Sequence, residues 1–449
     1  MKRRRFLEVT AAAAGGFAAH SLLLNLSGCG SDDSTSAPHG GDDAGSDDAG
    51  PDDAGPDDAA VGDADSGESS TDSGPEPLAP GDVLLGLYAS SSIPKPEDAV
   101  RTALASLDLG WLKAGDSVFV KLASNSGNAH PAVTSPAAVT ALCAELFERG
   151  AGRVVVGDQS GVEGVRLAEG VLRFGSTKEL MVENGLYAAI TSAGAEAHFF
   201  DDQGYEAGYF EATLPDGHHW SEPMMIPKII EQMDHIVYLP RLSSHAVAGY
   251  SHGLKSAVGW LRDDGRYHLH NDAASLHEKY AEINYCTEIA SRLRLVLTFA
   301  EAMLLDFGPD TGTVAVADPR IVIASSDIAN HDALSVALLR HIDQVTPADP
   351  GLPFPYDDGA QANMLNQLLV TTLIEKATGI PWGDGGEGYT PLTGHKYWEG
   401  ISTDRGLSRA YDLQGGIPQT VRVRLAGAAL DSELRAAVEA YDDGIFDLV

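Results

Sequence analysis

Ser117-Val118-Phe119-Val120-Lys121 and Arg153-Val154-Val155-Val156-Gly157-Asp158 decide the fold. Each run is short, β-branched and apolar at consecutive positions, as expected of strands buried on both faces. Between them, Pro136 to Arg149 has the composition of a helix, stopped by Gly150-Ala151-Gly152. Strand, helix and strand of these lengths make a βαβ unit with parallel strands.

The same alternation continues on both sides. Further strands are expected at Asp82–Leu87, Ala197–Phe200, His235–Leu239, Arg294–Phe299, Arg320–Ala324 and Thr420–Arg424. Helices are expected near Glu97–Leu107, Lys178–Ala193, Glu222–Gln232, Leu276–Arg292, Ile328–His341 and Asn363–Ala377. The fold class is therefore α/β, a mostly parallel sheet flanked by helices in Rossmann-like units. Ligands of such folds collect at the carboxyl ends of strands, which points to the segments just after Lys121, Val156 and Leu239.

The 449 residues carry 65 acidic against 30 basic side chains, a formal net charge of -35. That sign excludes a nucleic-acid binder held by phosphate contacts and a protein docked on anionic lipid by a basic face. Arg3-Arg4-Arg5-Phe6-Leu7 reads as a twin-arginine export signal. The apolar stretch from Thr10 to Leu26 is too short and interrupted for a spanning helix. It ends in Leu26-Ser27-Gly28-Cys29, a lipobox that makes Cys29 the lipidated first residue of the mature chain.

Ser31 to Pro80 contains fifteen acids, no lysine or arginine, and a recurring Asp-Asp-Ala-Gly. It lacks the apolar surface to offset ordering entropy, so a disordered acidic linker with a reach of about 40 Å is expected. The repeats match neither an EF-hand loop nor a calcium-binding β-helix repeat. The boundaries are thus 1–28 signal peptide, 29–80 tether, 81–350 α/β domain and 351–449 an α/β extension packing on it. No transmembrane helix is expected in the mature protein. The cell envelope is the expected location, with the membrane held through lipid on Cys29.

Three segments could carry chemistry. After the first central strand comes a long polar loop ending in His130-Pro131, where proline biases the histidine toward extended backbone. After the second comes Gly157-Asp158-Gln159-Ser160-Gly161, an acid at a strand end. The densest is Tyr238–His270, with His245, His252, His268, His270, Arg241, Lys255, Arg262 and Arg266. In an acidic chain this cluster suggests a small anionic ligand. It is not a phosphate loop, because Leu254 separates Gly253 from Lys255, and its histidine spacing fits no zinc signature. The histidine–tryptophan loops at His218-His219-Trp220 and His395–Trp398, and the glycine-rich 383–388, read as surface loops. Cys143 reads as core within its helix and Cys286 as helical. Three cysteines cannot build a four-thiolate cluster, so no iron–sulfur cluster is expected.

From about Val83 to His341 the sequence resembles the bacterial and archaeal family termed domain of unknown function 362. The resemblance rests on the strand ending in Lys121, then His130-Pro131, then V-V-V-G-D at Val154–Asp158. It continues through D-H-I-V-Y-L-P-R-L-S-S-H at Asp234–His245, G-L-K-S-A-V-G at Gly253–Gly259, Phe307-Gly308-Pro309 and Ser326-Asp327 to Asp332. Members usually read K-P-N where Lys121-Leu122-Ala123 stands, threonine at Ala129, and aspartate at Phe299. Relatives often add ferredoxin-type cysteine clusters, which are missing here and weaken an electron-transfer role.

A fainter resemblance is to the nickel-pincer lactate racemases. His245 is followed by Gly249-Tyr250-Ser251-His252-Gly253-Leu254-Lys255-Ser256, with the lysine ten residues after the histidine, as in that family's G-[FY]-S-G-G-R-K segment. His130 and His270-Asn271 also have counterparts, while His252 and Leu254 depart from it. The resemblance implies Lys255 as carrier of a nicotinate-derived cofactor, and His245 or His270 in nickel ligation or acid–base work.

The combined expectation is an exported, lipid-anchored protein. Its pocket would be lined by His130, Asp158, His245, Lys255, Ser256 and His270, for a small anionic ligand or a metal cofactor. His130, His245 and His270 are the catalytic candidates. Lys255, Asp158 and Ser256 are the cofactor-binding ones, and His245 the metal ligand. The alternatives are a non-catalytic solute-binding or interaction protein, and a pincer-type racemase or epimerase.

Overall fold

In the computed structural model, which describes residues 78–162, 164–170, 173–245, 248–271, 275–305, 308–347 and 400–449, the βαβ unit forms as its sequence dictates. Ser117–Leu122 and Arg153–Asp158 pair in parallel, Ser117 opposite Arg153 and Lys121 opposite Gly157, joined by helix Pro136–Glu148. Pro136 suits the first turn because its φ is preset and it has no amide to leave unpaired. The signal, nearly all of the tether, the 363–377 helix, the 383–388 loop and His395–Trp398 lie outside the described residues.

Among the described residues, eleven strands form one sheet. In chain order they are β1 (Val83–Tyr88), β2 (Ser117–Leu122), β3 (Arg153–Asp158), β4 (Glu196–Phe199), β5 (His235–Leu239), β6 (Ser243–His245), β7 (Gly249–Ser251), β8 (Leu293–Leu305), β9 (Thr313–Ser325), β10 (Val421–Gly427) and β11 (Phe446–Leu448). Across the sheet the order is β11-β10-β1-β9-β8-β5-β2-β3-β4, with the β6–β7 hairpin joined to β8. Only β9 runs against its neighbours in that row; the other pairings along it are parallel.

The helices are α1 (Pro96–Ala105), α2 (Pro136–Glu148), α3 (Thr177–Glu183), α4 (Leu186–Ser192), α5 (Gly253–Ser256), α6 (Asp263–Asn271), α7 (Leu276–Asn284), α8 (Thr287–Ala290), α9 (Ile328–Val345), α10 (Arg405–Gln414) and α11 (Ser432–Glu439). They cover both faces of the sheet. One layer packs Val100, Val139 and Leu142 on Leu84, Val118, Val120, Val154 and Val156. The other packs Leu254, Tyr280, Leu334 and Leu338 on Val83, Phe119, Val155 and Tyr238. Successive residues of one strand go to opposite layers, which is why the strands read as unbroken apolar runs. Cys143 and Cys286 are buried in opposite layers and both are free.

Five expected elements differ. Glu222–Gln232 is not an α-helix: Met225–Pro227 is a strand against Tyr209–Glu211, followed by a 3-10 turn at Lys228–Gln232. Pro223 and Pro227 deny the segment two of the amides a helix needs. Lys178–Ala193 breaks into α3 and α4 at Gly185, whose φ of 86° favours glycine. Leu276–Arg292 breaks after Asn284, whose side-chain amide donates to the carbonyls of Tyr280 and Leu254. Cys286 is consequently extended, at the cap of α8 rather than inside a helix. Strands β8 and β9 run longer than expected, continuing past a bulge at Ala300/Ala302 to where Leu304 also pairs with Ser243 of β6.

Candidate functional site

The carboxyl ends of β2, β5 and β8 position the site. Thr134 ties two of these ends together: its hydroxyl donates to the carbonyl of Leu239 at 2.7 Å and accepts the Ala123 amide at 2.9 Å. From Leu239 the chain passes Arg241, turns through the β6–β7 hairpin carrying His245, and enters α5, which carries Lys255. This four-residue helix is buried along its whole length. Both of its ends are held by side chains of other elements. The Gly253 and Leu254 amides donate to Asp332 Oδ1 and Oδ2 at 2.9 and 2.7 Å. Asp332 is itself 2.7 Å from His331 Nδ1, and His331 Nε2 lies 3.0 Å from Thr298 Oγ1. At the other end, Asn284 reaches the Leu254 carbonyl at 3.0 Å.

Lys255 is 7% exposed, and among the described residues its amine has neither a carboxylate nor a hydrogen-bond partner. Burial, then the charges of Arg266 and Arg241, bring its pKa down to about 7. Arg241 is buried as well; one terminal nitrogen donates to the Pro309 carbonyl at 2.7 Å, and its Nε finds no partner among the described residues. Burial lowers this guanidinium to about 10. Arg266 is already committed, donating to the carbonyls of Leu261, Ser160, Gln159 and Gly259.

Three histidines face this positive centre, and burial is the main cause of the low pKa of each. His245 is held well below the usual imidazole value, with Lys255, Arg241, His270 and His277 adding to the effect. Its Nδ1 accepts the Ala248 amide at 3.2 Å, which leaves the proton of the neutral ring on Nε2. His270, pushed down to about 3, has its Nδ1 2.7 Å from the Arg266 carbonyl. A carbonyl can only accept, so Nδ1 carries the proton and the Nε2 lone pair is available. His277, also down to about 3, senses Arg405 and Lys255.

The remaining expected site residues lie differently. Asp158 does not stand open to a ligand: it pairs with the fully buried Lys121 at 2.6 Å and accepts the Ser124 and Gln159 amides, both at 2.8 Å. Lys121 also donates to the Leu122 and Ser256 carbonyls. A Cβ on Gly259 would run into both members of this pair, so the backbone passes there only as glycine. Ser256 contributes that carbonyl, while its buried hydroxyl has no partner among the described residues. His130, half-buried, sets Nδ1 3.0 Å from the Val133 carbonyl and leaves a buried Nε2 without a described partner. Its pKa is lowered by burial, raised by Glu301 and lowered by Arg241, which places it at the Arg241 side of the cluster.

Residues 118–337 match the family model described as Domain of unknown function (DUF362). That span is a DUF362 domain. It contains Arg241, His245, Lys255, His270, His277 and Asp332. No curated protein matches the sequence. The lactate racemase apoprotein from Thermoanaerobacterium thermosaccharolyticum aligns over 82% of this chain and 87% of its own, at 12% identity and a TM-score of 0.37. A structural-genomics crystal structure from Thermotoga maritima aligns over 51% of this chain and 53% of its own, at 13% identity and a TM-score of 0.33. The chain thus covers about half the length of the Thermotoga protein. Likenesses at these scores carry no mechanism to the DUF362 domain.

Three contributors were not singled out from sequence. Arg241 stood in the basic run but not among the site residues, although its position just past β5 was a usable signal. Asp332 closed one of the stretches that carry the family resemblance without being given a role, and His277 gave no signal, acting from a helix outside the basic run. For the nickel cofactor implied by resemblance, a neutral His245 offers a proton at Nε2 rather than a lone pair. No group of three metal-ligating side chains stands together among the described residues. No metal site is therefore shown among the described residues, and the chemistry of the DUF362 domain is read from its own side chains.

Proposed function

We propose that the domain binds a small carboxylate-bearing anion between Arg241 and Lys255, with His270 placed to accept or return a proton. The observation that carries this is the contrast between two buried lysines. Lys121 is matched by Asp158 at 2.6 Å; Lys255 is flanked by guanidinium groups and has no described carboxylate. An uncompensated buried cation is strongly unfavourable, so its retention in an acidic chain makes sense if an anion completes it. The orphaned Arg241 Nε and Ser256 hydroxyl supply donors for the same ligand.

Thermal-shift titration with acetate, lactate and phosphate tests the reading. Carboxylates should stabilise the wild-type protein more than phosphate does, and Lys255→Met or Arg241→Gln should weaken that binding roughly tenfold or more. An unaltered response in Lys255→Met would refute it. A binding protein without chemistry is separated from an enzyme by His270→Gln, which should leave affinity nearly intact and abolish turnover.

The domain is further proposed to work in the cell envelope, exported folded and anchored through lipid on Cys29. The twin-arginine run and lipobox support this. Cys29→Ser should move the protein from the membrane to the soluble fraction of cells; persistence in the membrane fraction would argue against lipidation.

A further inference from the structure

We propose that Lys255 is a nucleophile which forms an imine with a small 2-oxo acid, its carboxylate seated on Arg241 and its carbonyl carbon at Lys255 Nζ. This rests on the anion-site reading and names the ligand class within it. The geometry is that of an amine without an acid partner. Lys255 is buried on α5 and donates no hydrogen bond to a described residue, so nothing must be displaced before its lone pair is used. Arg241, coupled to it electrostatically, keeps an unused Nε to orient a carboxylate. His270 keeps an Nε2 lone pair because its other nitrogen is fixed on a backbone carbonyl. Near neutral pH a substantial fraction of Lys255 is the free amine, which is the form that attacks carbonyls.

The step balances within these groups. The Nζ lone pair forms the N–C bond while the carbonyl π pair moves to oxygen. His270 Nε2 takes a proton from nitrogen and returns it to that oxygen, giving a carbinolamine. The hydroxyl then leaves as water, carrying the second nitrogen proton, and nitrogen and carbon are joined by a double bond. Nothing is oxidised or reduced. A carboxylate without a carbonyl binds but does not react.

The test uses glyoxylate with cyanoborohydride, which reduces an imine to carboxymethyl-lysine, followed by peptide mass spectrometry of the whole protein. Lys255 should be labelled roughly tenfold or more faster than the other lysines, and acetate should suppress that labelling. Lys255→Arg should lose the fast label, and His270→Gln should slow labelling while leaving acetate binding in place. If acetate binds but Lys255 is labelled no faster than surface lysines, the imine proposal fails and the anion site stands. If no carboxylate binds, both fall.

Discussion

Lys255 and Gly259 sit four residues apart and make opposite demands on the fold. Lys255 has a folded-state pKa of about 7 against 10.5 in a free chain. Between those values the unfolded chain holds more proton, so this group makes stability rise with pH in that window and costs stability below it. Lys255→Met should therefore stabilise the protein at pH 7, with the gain shrinking by about 2 kcal/mol between pH 7 and pH 9, in urea melts at each pH. A gain that does not change with pH would mean the amine is not the cause. Gly259→Ala should do the reverse, driving a methyl into the Lys121–Asp158 pair at a cost of about 3 kcal/mol in the same melts. Sequence exposed the lysines but not their difference. Lys121 follows an apolar run and Lys255 follows a single leucine, but only the three-dimensional partner, Asp158 or none, separates an ion pair from a binding group.

Among the elements, the short helix α5 shows how a site residue is aimed. With four residues it has little intrinsic stability, and it persists because Asp332 of α9 takes two of its amides. Asp332→Asn should weaken acetate binding several-fold, since an amide offers one acceptor where two are used. Lys255→Met should make the Asp332 change nearly silent in binding, because both act through the same amine. The second device is α10, which lies against α7. Arg405 grips Glu278 through two nitrogens at 2.7 Å, Arg409 reaches Glu282 at 2.9 Å, and Asp404 caps the helix while accepting the Tyr250 hydroxyl at 2.8 Å. Burial raises Asp404 to about 7. Its folded-state value lies above the unfolded one, so the folded protein holds the extra proton between about pH 4 and 7, and stability falls as pH climbs through that range. Asp404→Asn should flatten this fall, measured as hydrogen exchange of α10 amides at pH 6 and pH 8. The parallel sheet and its helices were legible because period and turn residues are local signals. Contacts such as Arg405–Glu278, 127 residues apart, leave no mark in a window of sequence.

At the scale of the molecule, net charge and site charge have opposite signs. The formal charge of -35 is spread over a long acidic segment and a mostly acidic domain, whereas Arg241, Lys255 and Arg266 gather at one point. Binding of a small anion should therefore depend weakly on ionic strength, because the cations involved are buried rather than screened at the surface. Raising salt from about 0.05 to 0.5 M should alter acetate affinity by less than about threefold, checked by calorimetry. The charge regimes and the basic run were readable from composition alone; that the run closes on α7 and α9 was not.

The sheet order also sets a timetable. Strand β1 lies between β9 and β10, pairing Val83 with Ser325 on one side and with Val423 on the other. Its partners are synthesised more than two hundred and more than three hundred residues after it, so one of the first strands made is among the last to be satisfied. At about 5–20 residues per second, β1 waits tens of seconds before its second edge is covered. During that interval it is an apolar ribbon with open hydrogen bonds. Closing this sheet therefore demands pairings of high contact order, and a nascent chain arrested before β10 would be expected to seek holdase protection rather than to bind anything.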